Sequence, residues 1–309
     1  MAVLKHEALG HRVTLAARSR VGRARDCAVR LVDRCASGEH AVLFWDGARW
    51  WARDLGSTNG THVGGRRLTS AERVQLDAGA DLVFGGSAER WILEEAGPPV
   101  ASARSERTGE VRAAEESLLA LPGAADPRVT LFEDQRGCWH VEIDGTARPA
   151  VDQEPIEAGG PWVLCVPPPA PDGAVPTTTS TAANPKLIGA TVLRFEVSHD
   201  EEHIALSLVQ GDTVTPLAGR AHHELLLVLA RARLHDRDEG LPPAERGWLY
   251  VDELLGKLRL DLHHLNVNVF RARQQLAREG VLDAGSLIER RTMTRQIRLG
   301  TEAVEVLRP

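Results

Sequence analysis

The stretch DLGSTNGTHVGG, Asp54 to Gly65, packs glycine, hydroxyl and amide side chains into one turn directly after a tryptophan-rich segment. Such residues supply the backbone conformations and local hydrogen bonds that tight turns need. Taken alone, STNGT is equally a plain hairpin turn. On both sides of it lie short segments punctuated by Gly and Asp: HRVTLA (11–16), CAVRLV (27–32), AVLFW (41–45), RWWARDL (49–55), RVQL (73–76), LVFGG (82–86) and RWILEE (90–95). Many short strands at this spacing predict an all-β sandwich over residues 1–96.

Three clusters inside that region share one chemistry. VGR supplies Gly22 and Arg23, SGEH supplies Ser37, Gly38 and His40, and STNGT supplies Thr58, Asn59 and Gly60. A phosphate dianion calls for a fixed fork of donors, which a guanidinium gives bidentately. A serine hydroxyl adds a neutral donor, and backbone N–H groups in a loop complete a cradle. Asn59 carries both donor and acceptor, so it suits the main chain of an extended peptide.

Followed by DAGADLVFGG, this ordered set resembles the forkhead-associated (FHA) domain, a reader of phosphothreonine peptides. The resemblance covers about the first 95 residues. It implies a phosphopeptide site with Arg23 and Ser37 on the phosphate and Thr58 and Asn59 on the flanking peptide. Gly38 stands in that site where the family often has a polar or basic side chain. Gly22, His40 and Gly60 are then architectural, with His40 bracing the loops and Gly60 giving the turn its geometry. Gly64 replaces the usual Asn of a VNG element, which affects the loop more than the ligand. The bland reading of Arg23 by itself is a solvated charge, because this chain uses arginine for nearly every basic role. Its lysines are Lys5, Lys186 and Lys257.

Beyond residue 96 the pattern loosens. VRAAEESLLALP (111–122) predicts a short helix, and RVTLFED, CWHVEIDG and WVLCVP predict a small β-rich segment over 110–166. Residues 167–186, rich in Pro, Thr and Ala, predict a flexible linker. From 187 to 309 short strands lead into three helical stretches and a hairpin-like SLIERRTMTRQIRLG. In the third helix Leu262, Leu265, Val269, Ala272 and Leu276 recur at 3-4 spacing, one buried stripe. The expected whole is multidomain: an N-terminal all-β FHA sandwich, a small middle β segment and a C-terminal α+β winged helix-turn-helix.

That last element order resembles the winged helix-turn-helix domain of OmpR/PhoB-type response regulators, most densely in LNVNVFRARQQL and in IERRTMTRQIRL. The resemblance covers roughly residues 188–309. It implies double-stranded DNA as a partner, with Asn268, Arg271 and Arg273 on the recognition helix and Arg290, Arg291 and Arg295 on the wing. Asn suits adenine edges and Arg suits guanine or phosphate. From Leu262 to Leu299 seven arginines stand against Glu279, Asp283 and Glu289, a local basic bias in a chain of net charge -6. Phe270 departs from the family, lying where a polar DNA-facing residue is common. The other reading is a winged helix that binds protein, making the chain a phospho-dependent scaffold.

No apolar run approaches the length that spans a bilayer, and MAVLKHEALGHRV has no secretory pattern, so a cytoplasmic chain without a membrane partner is expected. Cys27, Cys35, Cys138 and Cys165 lack CxxC spacing, and the adjacent pairs His222-His223 and His263-His264 lack the spacing of a helical metal site. Neither a cofactor, a metal nor a catalytic residue is expected, and the chain is not read as an enzyme. The expected protein partner carries phosphothreonine and is a Ser/Thr kinase or its substrate. Thr177, Thr178, Thr179 and Thr181 of the linker are a candidate intramolecular partner.

Overall fold

The computed structural model describes residues 1–69, 72–134, 136–169, 186–200, 203–291 and 293–307. The linker threonines expected as an intramolecular partner lie outside the described residues. The chain divides into two compact units: 1–113 with 151–156 and 162–178, and 114–150 with 157–161 and 179–309.

Two sheets of the first unit form a β sandwich. One runs Arg12–Thr14, Ala2–His6, Arg90–Ala96, Asp81–Phe84, Thr61–Val63, Arg66–Arg67; the other runs Val29–Arg30, Arg18–Gly22, Ala41–Trp45, Trp50–Asp54, Arg73–Leu76. Side chains alternate across a strand, so each sheet turns every second residue inward. Trp50–Asp54 and Ala2–His6 show this alternation residue by residue. Trp50, Phe84, Trp91, Leu43 and Leu82 make the shared core. Of CAVRLV only Val29 and Arg30 are strand, pairing in parallel with Val21 and Gly22. A smaller sheet joins Val111–Ala113, Ser102–Ser105, Pro161–Cys165 and Pro155–Glu157.

The expected middle segment is not one body, because residues 114–150 belong to the second unit. VRAAEESLLALP is not helical either: it gives the strands Val111–Ala113 and Leu118–Gly123. Leu118 to Leu121 are all buried, which requires cover on both faces of a strand. The strand pairs with Asp126–Glu133 in an antiparallel meander continued by Trp139–Ile143 and Thr146–Pro149.

The second unit combines this meander with α1 (His222–Asp238), α2 (Val251–Leu258) and α3 (Leu262–Arg278). A hairpin pairs Ile288–Arg291 with Gln296–Leu299, and Val304–Leu307 runs parallel to Val192–Val197 at a sheet edge. Asp261 caps α3 by accepting the His264 backbone N–H at 2.7 Å. Leu118, Ala120 and Phe132 of the meander share one hydrophobic core with Leu226, Leu265, Phe270 and Leu299. No helix among the described residues is long and apolar enough to cross a membrane.

The two histidines that open α1 serve packing. His222 and His223 each place Nε2 on Gln275 Oε1 of α3, at 2.6 and 2.9 Å. Burial is the main cause that lowers the His222 pKa to about 4 from 6.5, with the charges of His223, Arg220 and Arg271 adding to it and the Gln275 hydrogen bond opposing. The unfolded chain therefore takes up this proton near pH 6.5, while the folded one refuses it until about pH 4. Stability is expected to fall as pH drops through that window and to level off below it, by roughly 3 kcal/mol from this site. Urea midpoints at pH 7 and pH 4.5 check this: the acid loss should shrink in His222→Gln, and an equal loss in both proteins would refute it.

Candidate functional site

The loop after Arg18–Gly22, the loop around Ser37 and the STNGT turn meet at one end of the sandwich. Backbone bonds lace the first two together: Arg23 N–H to Ser37 O at 3.0 Å, Ala24 N–H to Gly38 O at 3.0 Å, and His40 N–H to Val21 O at 2.8 Å. Gly22 is required by this approach, since a Cβ there would lie 2.0 Å from Gly38 O. His40 is buried between the loops. Its Nδ1 accepts the Ser37 N–H at 3.0 Å, so Nε2 carries the proton and donates to Gly60 O at 3.2 Å. Burial lowers its pKa, which keeps the ring neutral in this bridging tautomer.

The exposed groups come next. Arg23 donates from Nε to Ala36 O at 2.6 Å, and its terminal nitrogens engage nothing among the described residues. One edge of the guanidinium is thus fixed while the fork is free. Ser37 Oγ accepts the Thr58 N–H at 3.1 Å and keeps its own proton to donate. Asn59 donates from Nδ2 to Cys35 O at 2.8 Å, tying the turn to the Ser37 loop and leaving Oδ1 open. Gly38 lies beside these groups with open space where a Cβ would stand. Five residues expected in a phosphopeptide site, Arg23, Ser37, Gly38, Thr58 and Asn59, are thereby adjacent.

Sequence reasoning missed the residue that shapes the turn. Asp54 accepts four bonds: from the Gly56 and Ser57 N–H groups, both at 2.8 Å, from Ser57 Oγ at 2.6 Å, and from Thr61 Oγ1 at 2.7 Å. Burial pushes its carboxyl up, but these bonds outweigh burial and hold it below the ordinary carboxylate value. Ser57 Oγ in turn accepts the Gly60 N–H at 3.0 Å. The signal was present, since an Asp two residues before a Gly is an Asx-turn pattern. Gly60 at φ 87° and the pair Gly64 and Gly65 at 56° and 79° occupy backbone conformations that suit glycine. Gly64 therefore serves its turn as an Asn would.

The DNA candidates of the second unit do not form one surface. Arg271 is exposed and Asn268 half-buried. Arg273 is 1% exposed, and its Nη1 meets Glu142 Oε2 at 3.1 Å. Its Nη2 donates to Ile288 O at 3.2 Å, and the guanidinium lies 4.5 Å from the Phe132 ring. Arg290 is equally turned inward, 3.2 Å from Glu142 Oε1 and 3.0 Å from Asn266 Oδ1. The expectation that Arg273 and Arg290 face DNA is thus corrected: both neutralise one buried meander carboxylate. Arg291 sits on Glu245 at 3.1 Å and stacks on Trp248 at 4.2 Å. Arg295 meets Asp252 at 3.3 Å and stays exposed.

Phe270 and Val267, on the α3 flank expected to be open, are 3% and 6% exposed. The meander packs on α3 and its core includes Phe270. Lifting it off would expose Phe270, Phe132 and Leu118 at roughly 1.5–3 kcal/mol each and break the buried ion triad at about 3–5 kcal/mol. Such a sum approaches the whole stability of a typical domain, about 5–15 kcal/mol. The meander is therefore a fixed part of the unit.

Comparison with known proteins agrees with the first unit's geometry. The family model described as "FHA domain" matches residues 19–85. The FHA domain-containing protein FhaB of Mycobacterium tuberculosis H37Rv is 43% identical over 68 residues, 22% of this chain and 44% of that protein. FhaB of Mycolicibacterium smegmatis is 43% identical over 58 residues, 19% of this chain and 37% of that protein. The chain thus spans less than half the length of the curated relatives it matches. Among solved structures, Mycobacterium tuberculosis EmbR in complex with a low affinity phosphopeptide is 30% identical at a TM-score of 0.29, over 31% of this chain and 24% of that one. The FhaA FHA domain is 29% identical at a TM-score of 0.27, over 30% of this chain and 98% of that one. Residues 19–85 thus match an FHA domain.

Proposed function

We propose that this FHA domain is the input of a bacterial transcriptional regulator. It reads phosphothreonine on a Ser/Thr kinase or its substrate, and the second unit carries the output to double-stranded DNA. The observation that carries the input is the half-fixed guanidinium of Arg23 beside the free Ser37 hydroxyl. A fork held before the ligand arrives loses little freedom on binding, so its charge-assisted bonds contribute most of their strength. Thr58 and Asn59 then take the peptide main chain, and Gly22, His40, Asp54 and Gly60 hold the loops in register.

The output reading rests on the winged-helix order of α1, α2, α3 and the hairpin, with Arg271 exposed on α3. A second reading, a scaffold whose two ends both bind proteins, is favoured by the burial of Phe270, Arg273 and Arg290 inside the second unit. Titration of the full chain into labelled duplex at low salt, where phosphate contacts are strongest, separates the two. The regulator reading expects binding that weakens steeply as salt rises, and a response to added phosphothreonine peptide. Absence of binding at low salt leaves the scaffold.

A further inference from the structure

The third flank of α3 is neither packed in the core nor covered by the meander. Leu265, Val269, Ala272 and Leu276 face the core, and Val267, Phe270, Arg273 and Ala277 are buried elsewhere on the helix. Asn268, Arg271, Gln275 and Arg278 lie on the remaining flank, beside the start of α1. Gln275 fastens the two helices by donating to Ala218 O at 2.8 Å and accepting from both histidines. Between them lies an open groove of about 430 Å³, lined by Arg220, Asn268, Arg271, Gln274 and Arg278 among others.

The charge of this groove differs from that of the hairpin. Arg291, Arg295 and Arg298 each rest on a carboxylate, as Arg273 and Arg290 do on Glu142. Arg220, Arg271 and Arg278 have no ion pair among the described residues, and the groove holds a single acid, Glu279. Three unpaired guanidinium groups beside one carboxylate suit a polyanion. Arg271 and Arg278 are seven residues apart on one helix, roughly 10.5 Å, about the axial rise of three base pairs.

We propose that this groove, and not the covered flank of α3 or the hairpin, is where the unit binds double-stranded DNA. Arg220, Arg271 and Arg278 take backbone phosphates, and Asn268 is the amide placed for a base edge. This rests on the regulator reading and replaces its expected contact residues: Arg220 and Arg278 enter, Arg273 and Arg290 leave.

The test titrates the full chain into a fluorescent mixed-sequence duplex across a salt series, for wild type, Arg220→Ala, Arg278→Ala and the double variant. Arg237→Ala, an exposed arginine at the other end of α1, is the control. Each groove substitution should weaken binding by about 5- to 10-fold and lower the salt slope by about one. The control should match wild type, and circular dichroism should show all variants folded. If the groove variants bind and slope like wild type, the DNA reading stands and the groove is wrong. If Glu142→Gln tightens binding, the covered flank is the DNA surface and the groove is again wrong. A wild type that binds no duplex at low salt overturns the regulator reading itself.

Discussion

Arg23→Ala is expected to weaken binding of a phosphothreonine peptide by about 100-fold. Two charge-assisted bonds to one phosphate contribute roughly 1.5–3 kcal/mol each in this class, and losing about 3 kcal/mol corresponds to that factor. The fork is pre-aimed because Nε holds Ala36 O at 2.6 Å. Lysine at the same position keeps the charge but brings a point donor that cannot hold the carbonyl and fork the phosphate together. Arg23→Lys should therefore recover only a small part of the loss. Arg23 is exposed, so the thermal midpoint should stay where it is in wild type. Fluorescence anisotropy with a labelled phosphopeptide reads the effect. Unchanged affinity in Arg23→Ala would place the phosphate elsewhere.

Glu142→Gln should destabilise the second unit by about 3–5 kcal/mol, the cost typical of removing one partner from a buried ion pair. Glu142 is 5% exposed, and Arg273 and Arg290 both rest on it. Burial pushes its carboxyl up, and the two guanidinium groups overcome that and hold it below the ordinary value. Glutamine keeps the shape and removes the charge, leaving two cations in a site where Nε of each already has no partner. The double variant Glu142→Gln with Arg273→Gln should cost less than the two single changes added together, because their effects couple. Urea unfolding followed by far-ultraviolet dichroism measures both. A loss near zero would show the triad to be solvated in solution. Phosphopeptide affinity should survive, since its site residues all belong to the other unit.

The strands that read most plainly in the sequence were those with a strong local signal. AVLFW and RVQL are strands with the expected bounds. Ala2–His6 and Arg18–Gly22 were missed, because AVLKH opens on a continuous apolar run and RSRVG is mostly polar, so neither shows apolar alternation. VRAAEESLLALP looked helical because Ala, Glu and Leu favour helices; pairing with Asp126–Glu133 overrides that preference. The loops around Arg23, Ser37 and Asn59 were legible as turns that meet, because turn chemistry restricts which residues can stand there. Asp54 was passed over although its Asx pattern begins the same stretch.

The arginines of α3 failed for a different reason. Counting charge along a helix gives its sign but not its direction. Phe270, Arg273 and Ala277 recur at i, i+3 and i+7, a second buried stripe beside the first. That stripe was readable, but its partner was not: Glu142 lies 131 residues away in the chain. Long-range pairing of this kind leaves no mark in local pattern.

We propose that the loops around Ser37 and Asn59 read phosphothreonine. Titration of the full chain with a library of threonine peptides in matched phosphorylated and unphosphorylated forms checks this reading. Phosphothreonine sequences should bind saturably, their unphosphorylated counterparts should not bind, and Arg23→Ala should lose that binding. Equal binding of both forms, or phosphopeptide binding indifferent to Arg23, would contradict it.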